Sequence, residues 1–89
     1  MKKIYCELRL FDFHQKIYIV DPNTGYKELL AAAPMEELPQ VISAISDDKK
    51  IKTVWLSGNS VFGTAVAEDI VEYSKRNYSW NEINVEVLK

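Results

Sequence analysis

A chain of 89 residues has room for one domain and, burying only about 60–65% of its unfolded surface, for a modest core. Hydrophobic residues at 47% and charged residues at 27% exclude a disordered chain, and a net charge of −2 gives no footprint for nucleic acid or an anionic membrane. Cys6 is the only cysteine, which excludes an internal disulfide and favours a reducing compartment. Glu7 and Arg9 interrupt the apolar core that a signal peptide would need, and no stretch approaches the roughly 20 apolar residues of a membrane span. A cytoplasmic location is the expectation.

Ile4, Cys6, Leu8 and Leu10 alternate with Tyr5, Glu7, Arg9 and Phe11, a period of two that predicts a first strand with one apolar and one mixed face. Asp12 marks a turn. A second strand is expected from about His14 to Val20. Asp21-Pro22-Asn23-Thr24-Gly25 is turn chemistry: proline presets φ, Asp21 bonds the backbone ahead and Gly25 accepts a positive φ. Its hairpin partner should run from Tyr26 to about Ala32. Leu38, Val41, Ile42 and Ile45 fall on one helical face, with Pro39 tolerated in the first turn, so a helix is placed from Met35 or Leu38 to Ser46. Asp47-Asp48-Lys49-Lys50 reads as a charged exit loop. Thr53 to Leu56 gives a fourth strand, with Val54 and Leu56 on one face and Trp55 on the other. Ser60 is a plausible N-cap for a second helix running to Arg76, with Phe62, Ala65, Val66, Ile70 and Tyr73 as its buried stripe. Tyr78 to Asn81 is a connection, and Ile83, Val85 and Val87 alternate in a last strand.

The order β-β-β-α-β-α-β, with right-handed crossovers, predicts an α/β domain: a mixed five-stranded sheet in the order 3-2-1-4-5, strand 2 antiparallel, with both helices on one face. In element order the chain resembles the ribonuclease H-like fold group, which includes nucleases, Holliday-junction resolvases and the actin-like ATPases. The resemblance covers nearly the whole chain. It implies an acid within the first strand, where Glu7 stands, and a second near the end of the fourth. At that place the chain has Leu56-Ser57-Gly58-Asn59-Ser60, without a carboxylate. Two-metal nuclease chemistry needs several converging acids, so the departure speaks against it.

Other candidate sites are sparse. Ser57, Gly58, Asn59, Ser60, Gly63 and Thr64 form a candidate anion-binding turn at a helix start, with the glycine spacing of a phosphate loop but not its lysine. The competing reading is that Gly58 makes the turn and Gly63, Thr64 and Ala65 let the helix pack closely. Glu7, Asp12, Asp21, Glu68 and Asp69 are better read as solvated acids than as a metal site. His14, the single histidine, has no partner at metal-ligand spacing. Cys6 lies on an apolar face and reads as inert core. Ser57 and Ser60 lack a base in sequence reach. No metal and no cofactor is expected.

The more informative feature is the face left bare by the helices. Alternation gives it Tyr5, Arg9 and Phe11 from the first strand, Tyr18 from the second and Trp55 from the fourth. Aromatic residues with arginine are the composition of protein interfaces. The sequence therefore predicts a non-catalytic domain acting by association, with a protein partner or as a homodimer. Three alternatives stand beside it: an aromatic platform for single-stranded RNA, a nuclease-like or nucleotide-binding domain using the Ser57–Thr64 turn, and a monomer whose loops or Tyr78–Trp80 segment cover the face.

Overall fold

Alternation builds the sheet strand by strand. In the computed structural model, which describes residues 1–89, the strands are β1 (Lys3–Glu7), β2 (Gln15–Val20), β3 (Lys27–Ala33), β4 (Thr53–Ser57) and β5 (Asn84–Leu88). Helix α1 (Leu38–Lys49) joins β3 to β4 after a short 3-10 turn at Met35–Glu37, and α2 (Val61–Asn77) joins β4 to β5 before a second one at Trp80–Glu82. The sheet order is β3-β2-β1-β4-β5. β1 pairs antiparallel with β2 and parallel with β4, and β5 is parallel to β4. This is the α/β architecture expected from the sequence, down to strand order.

The two hairpin strands owe their register to the Asp21–Gly25 turn. Asn23 N–H donates to Asp21 Oδ1 at 3.0 Å, Gly25 N–H to the Asp21 carbonyl at 2.8 Å, and Gly25 takes a φ of 76°. A bulge at Leu30 shifts the β2–β3 pairing, from Ile17 opposite Ala31 to Tyr18 opposite Leu29. Bulges are a common way to twist an exposed edge strand away from unwanted partners.

Both helices cover one face. Ile4, Cys6, Ile17, Ile19, Val54 and Leu56 of the sheet are buried with Leu38, Ile42 and Ala67 of the helices in a single cluster. Pro39 sits in the first turn of α1, where its missing N–H costs no helical bond. Ser60 caps α2, accepting from Gly63 N–H at 2.9 Å.

Helix α1 runs through Asp47 and Asp48 to Lys49, where the sequence predicts an exit loop, and three larger expectations are corrected. The first strand does not reach Phe11: β1 ends at Glu7, and residues 9–13 turn out of the sheet. Gln15 explains this. Buried, it accepts from Arg9 N–H at 2.6 Å and donates to the carbonyls of Arg9 and Asp12 at 3.0 and 3.1 Å, so it captures backbone that a longer strand would use. The buried stripe of α2 is turned by about one residue. Gly63, Ala67 and Ser74 face the sheet, while Phe62, Ala65 and Tyr73 are exposed and Val66 and Ile70 half-buried. The cause is steric, since a Cβ on Gly63 would run into the Gly58 carbonyl and one on Gly58 into the backbone of Thr64. Small residues therefore line the contact and draw the helix close. Lastly, Tyr78–Asn81 is not a bare connection. Trp80 is fully buried on the helix side, its Nε1–H donating to the Pro39 carbonyl at 3.3 Å, and Ser43 Oγ–H donates to the Tyr78 carbonyl at 3.0 Å. No helix is long and apolar enough to cross a membrane.

Candidate functional site

Because the Tyr78–Trp80 segment packs among the helices, it leaves the opposite face of the sheet open. Register sets what that face shows. Tyr5 of β1 lies opposite Tyr18 of β2 and opposite Trp55 of β4, so three aromatic rings form one row across three adjacent strands. Tyr5 and Tyr18 have ring centroids 6.2 Å apart with planes tilted by 40°, within the range of favourable aromatic pairs. Lysines close both ends. Lys3 Nζ lies 4.2 Å from the centre of the Trp55 ring, and Lys27 Nζ lies 4.5 Å from Tyr18 and 5.7 Å from Tyr5. Each of the three rings is half-buried in consequence, covered by its neighbours and by lysine stems. Burial and then the charge of Glu7 push the Tyr5 hydroxyl above its ordinary value, against a smaller opposing pull from a hydrogen bond with Ser57.

The remaining residues assigned to this face divide. Arg9 lies past the end of β1 and folds back, its guanidinium 2.9 Å from Glu7 Oε1. Phe11 is fully exposed at the tip of the turn, and Phe13 packs against His14 with ring centroids 4.8 Å apart and planes tilted by 57°. Glu7, Asp12 and His14 do line one small cleft, of about 120 Å³, but Arg9 and Lys16 share it and Arg9 neutralises Glu7. Asp21 is held in the hairpin turn, and Glu68 faces Lys89 at 3.9 Å. No three of the His, Cys, Asp and Glu side chains converge as a metal ion would require. Cys6 is fully buried, and its thiol is pushed up to about 12 by burial and, secondarily, by Glu7.

The Ser57–Thr64 turn lies at the C-terminal end of β4. Ser57, Asn59, Ser60 and Thr64 line a wide cleft with Glu68 and Lys89. Three of its amides are engaged within the chain. Gly58 N–H donates to the Leu88 carbonyl at 3.4 Å, Gly63 N–H to Ser60 Oγ at 2.9 Å and Thr64 N–H to the Ser60 carbonyl at 2.8 Å. The single cation in the cleft, Lys89, stands opposite Glu68.

No protein-family model matches the chain, and no curated protein matches it. It is similar to two solved structures from Aquifex aeolicus, one of a member of the Ppx/GppA protein family and one of a PPX-GPPA enzyme. Each is 15% identical and overlaps 99% of this chain, with TM-scores of 0.47 and 0.46. The chain spans about a third of their length, 35% and 36%. A likeness of that depth leaves the function of this chain to be read from its own residues.

Proposed function

We propose that the chain is a non-catalytic association domain, a member of the ribonuclease H-like group without the acid at the end of its fourth strand, and that its open sheet face binds a second copy of itself. The observation that supports this reading is the Tyr18–Tyr5–Trp55 row, continuous across three strands and flanked by both signs of charge: Lys3, Lys16 and Lys27 with Glu7 and Glu86. A two-fold interface sets the same patch against itself, so a face that mixes cations and carboxylates is complementary to its own copy. A uniformly charged face would repel it.

Lysine stems already shield the rings, so each aromatic gives up less than the about 150–250 Å² of a fully exposed one. At about 25 cal/mol per Å², and after the entropy of association, this favours a micromolar dimer over an obligate one. Sedimentation equilibrium of the wild type beside Trp55→Ser and Tyr18→Ser tests the reading. The wild type should self-associate in the micromolar range, and each variant should weaken that at least tenfold while remaining folded. A wild type that stays monomeric to submillimolar concentration contradicts it.

A further inference from the structure

The geometry points to a binding site for a small amphiphilic anion at the opposite end of the sheet from the Ser57–Thr64 turn: a cavity of about 480 Å³ ringed by Lys2, Lys49, Lys50 and Lys52 over a floor of Ile19, Leu30 and Ile51. Its size is within the range of small-molecule clefts. Glu28 is the one carboxylate in the lining. Of the four lysines only Lys49 has an acid in ion-pair range, Asp48 at 3.8 Å. In a protein whose net charge is −2, this is a local reversal of sign, and concave apolar walls strengthen the field of the charges set around them.

Four separate pieces of the fold make the cavity. The β1–β4 register that pairs Ile4 with Val54 brings Lys2 level with Lys52. The Asn84 N–H bond to the Lys52 carbonyl, at 2.8 Å, fixes the backbone there. The bulge at Leu30 lies on β3 across from Ile17 and Tyr18 of β2, one step from the Ile19–Glu28 pair, and Leu30, Ile19 and Glu28 all line the cavity. Ile51 is locked from below, because its N–H donates to the Ser46 carbonyl at 3.1 Å and its own carbonyl accepts from Ser46 Oγ at 2.5 Å.

Helix-end electrostatics account for part of the cluster. Lys49 and Lys50 stand at the C-terminal end of α1, where cations are favourable. Lys2 and Lys52 lead into strands and gain nothing from the helix. Lys50 also holds a φ of 59°, the left-handed position after a helix, where glycine is the comfortable residue. A strained lysine aimed at an apolar cavity between other lysines suits a ligand with an apolar body and a carboxylate or phosphate head. The floor would take the body and the lysines the head, as point charges.

Titration followed by 1H–15N spectra tests this, with four probes held below any micelle-forming concentration: decanoate, decyl phosphate, inorganic phosphate and decanol. Decanoate or decyl phosphate should shift the amides of Lys2, Ile19, Leu30 and Lys50 to Lys52 saturably, and the tighter of the two identifies the head group. Inorganic phosphate and decanol should each bind at least tenfold more weakly, since each lacks one half of the ligand. A Lys50→Glu/Lys52→Glu variant, altered only at exposed positions, should keep its dispersed spectrum and lose at least tenfold in affinity. Lys50→Gly should melt at a higher temperature yet bind less tightly. The site is refuted if neither anionic amphiphile gives saturable shifts at millimolar concentration, if decanol matches them, or if binding is unchanged in both lysine variants.

Discussion

The two faces of this sheet are made by the same strands and could hardly differ more. From β1, Ile4 and Cys6 go to one side and Lys3, Tyr5 and Glu7 to the other; from β4, Val54 and Leu56 oppose Trp55. The helix side is closed with small and aliphatic groups, Gly63 and Ala67 bringing α2 down and Trp80 filling the space beside α1. The open side has rings and lysine stems in place of close-packed methyl groups. Packing density decides stability, and it belongs to the first face. Rings left half-covered in water do little for the fold, so the second face is free to serve another molecule.

That contrast fixes where substitutions should hurt. Trp80→Ala removes a fully buried indole and its bond to Pro39, and should cost about 3–5 kcal/mol in chemical denaturation, enough to unfold a marginal domain of this size. Gly63→Ala reverses the usual sign of its type. In a helix interior that change commonly stabilises, but here the new Cβ meets the Gly58 carbonyl, and a loss of about 1–3 kcal/mol is expected. A stabilised Gly63→Ala protein would show that α2 does not sit so close.

Cys6 gives the helix side a signature in pH. Its folded thiol is raised to about 12 from an ordinary 9.0, so the unfolded chain releases the proton first. The stabilisation is whole below pH 9 and fades between pH 9 and 12, by up to about 1.4 kcal/mol per pH unit. Comparing pH–stability curves of the wild type and Cys6→Ala isolates that part. Ser60→Ala, which removes the cap of α2, should cost about 1 kcal/mol by thermal melting. Tyr18→Ser on the open face, which removes one aromatic pair, should cost about 1 kcal/mol or less. A large loss there would mean that the aromatic row is part of the core.

Much of this division is legible in the sequence because it rests on period-two alternation. The Asp21–Gly25 turn and the Ser60 cap follow from local signals, and the strand order and the face shared by both helices from the right-handed crossover rule applied to them. What escapes is what depends on one side chain reaching across sequence. The alternation from Ile4 runs on to Phe11 without a break, and only the amide of Gln15, buried against residues 9–12, ends the strand at Glu7. Trp80 lies in a stretch with no periodicity, and its indole N–H finds its acceptor on Pro39, 41 positions away. The stripe on α2 misleads because Phe62 and Tyr73 carry the hydrophobicity while Gly63 and Ala67 make the contact. The lysine-ringed cavity could not be read at all, since Lys2 and Lys52 meet only through the β1–β4 register.

If the Tyr18–Tyr5–Trp55 face binds another copy, its strands should be shielded only where dimers form. Hydrogen exchange measured at two protein concentrations, one well below and one well above the dissociation constant, tests it most directly. At high concentration the backbone amides of β1, β2 and β4 should gain protection while those of α1 and α2 do not, and Trp55→Ser should abolish the gain. Protection that is independent of concentration, or that grows on the helix side instead, would contradict it.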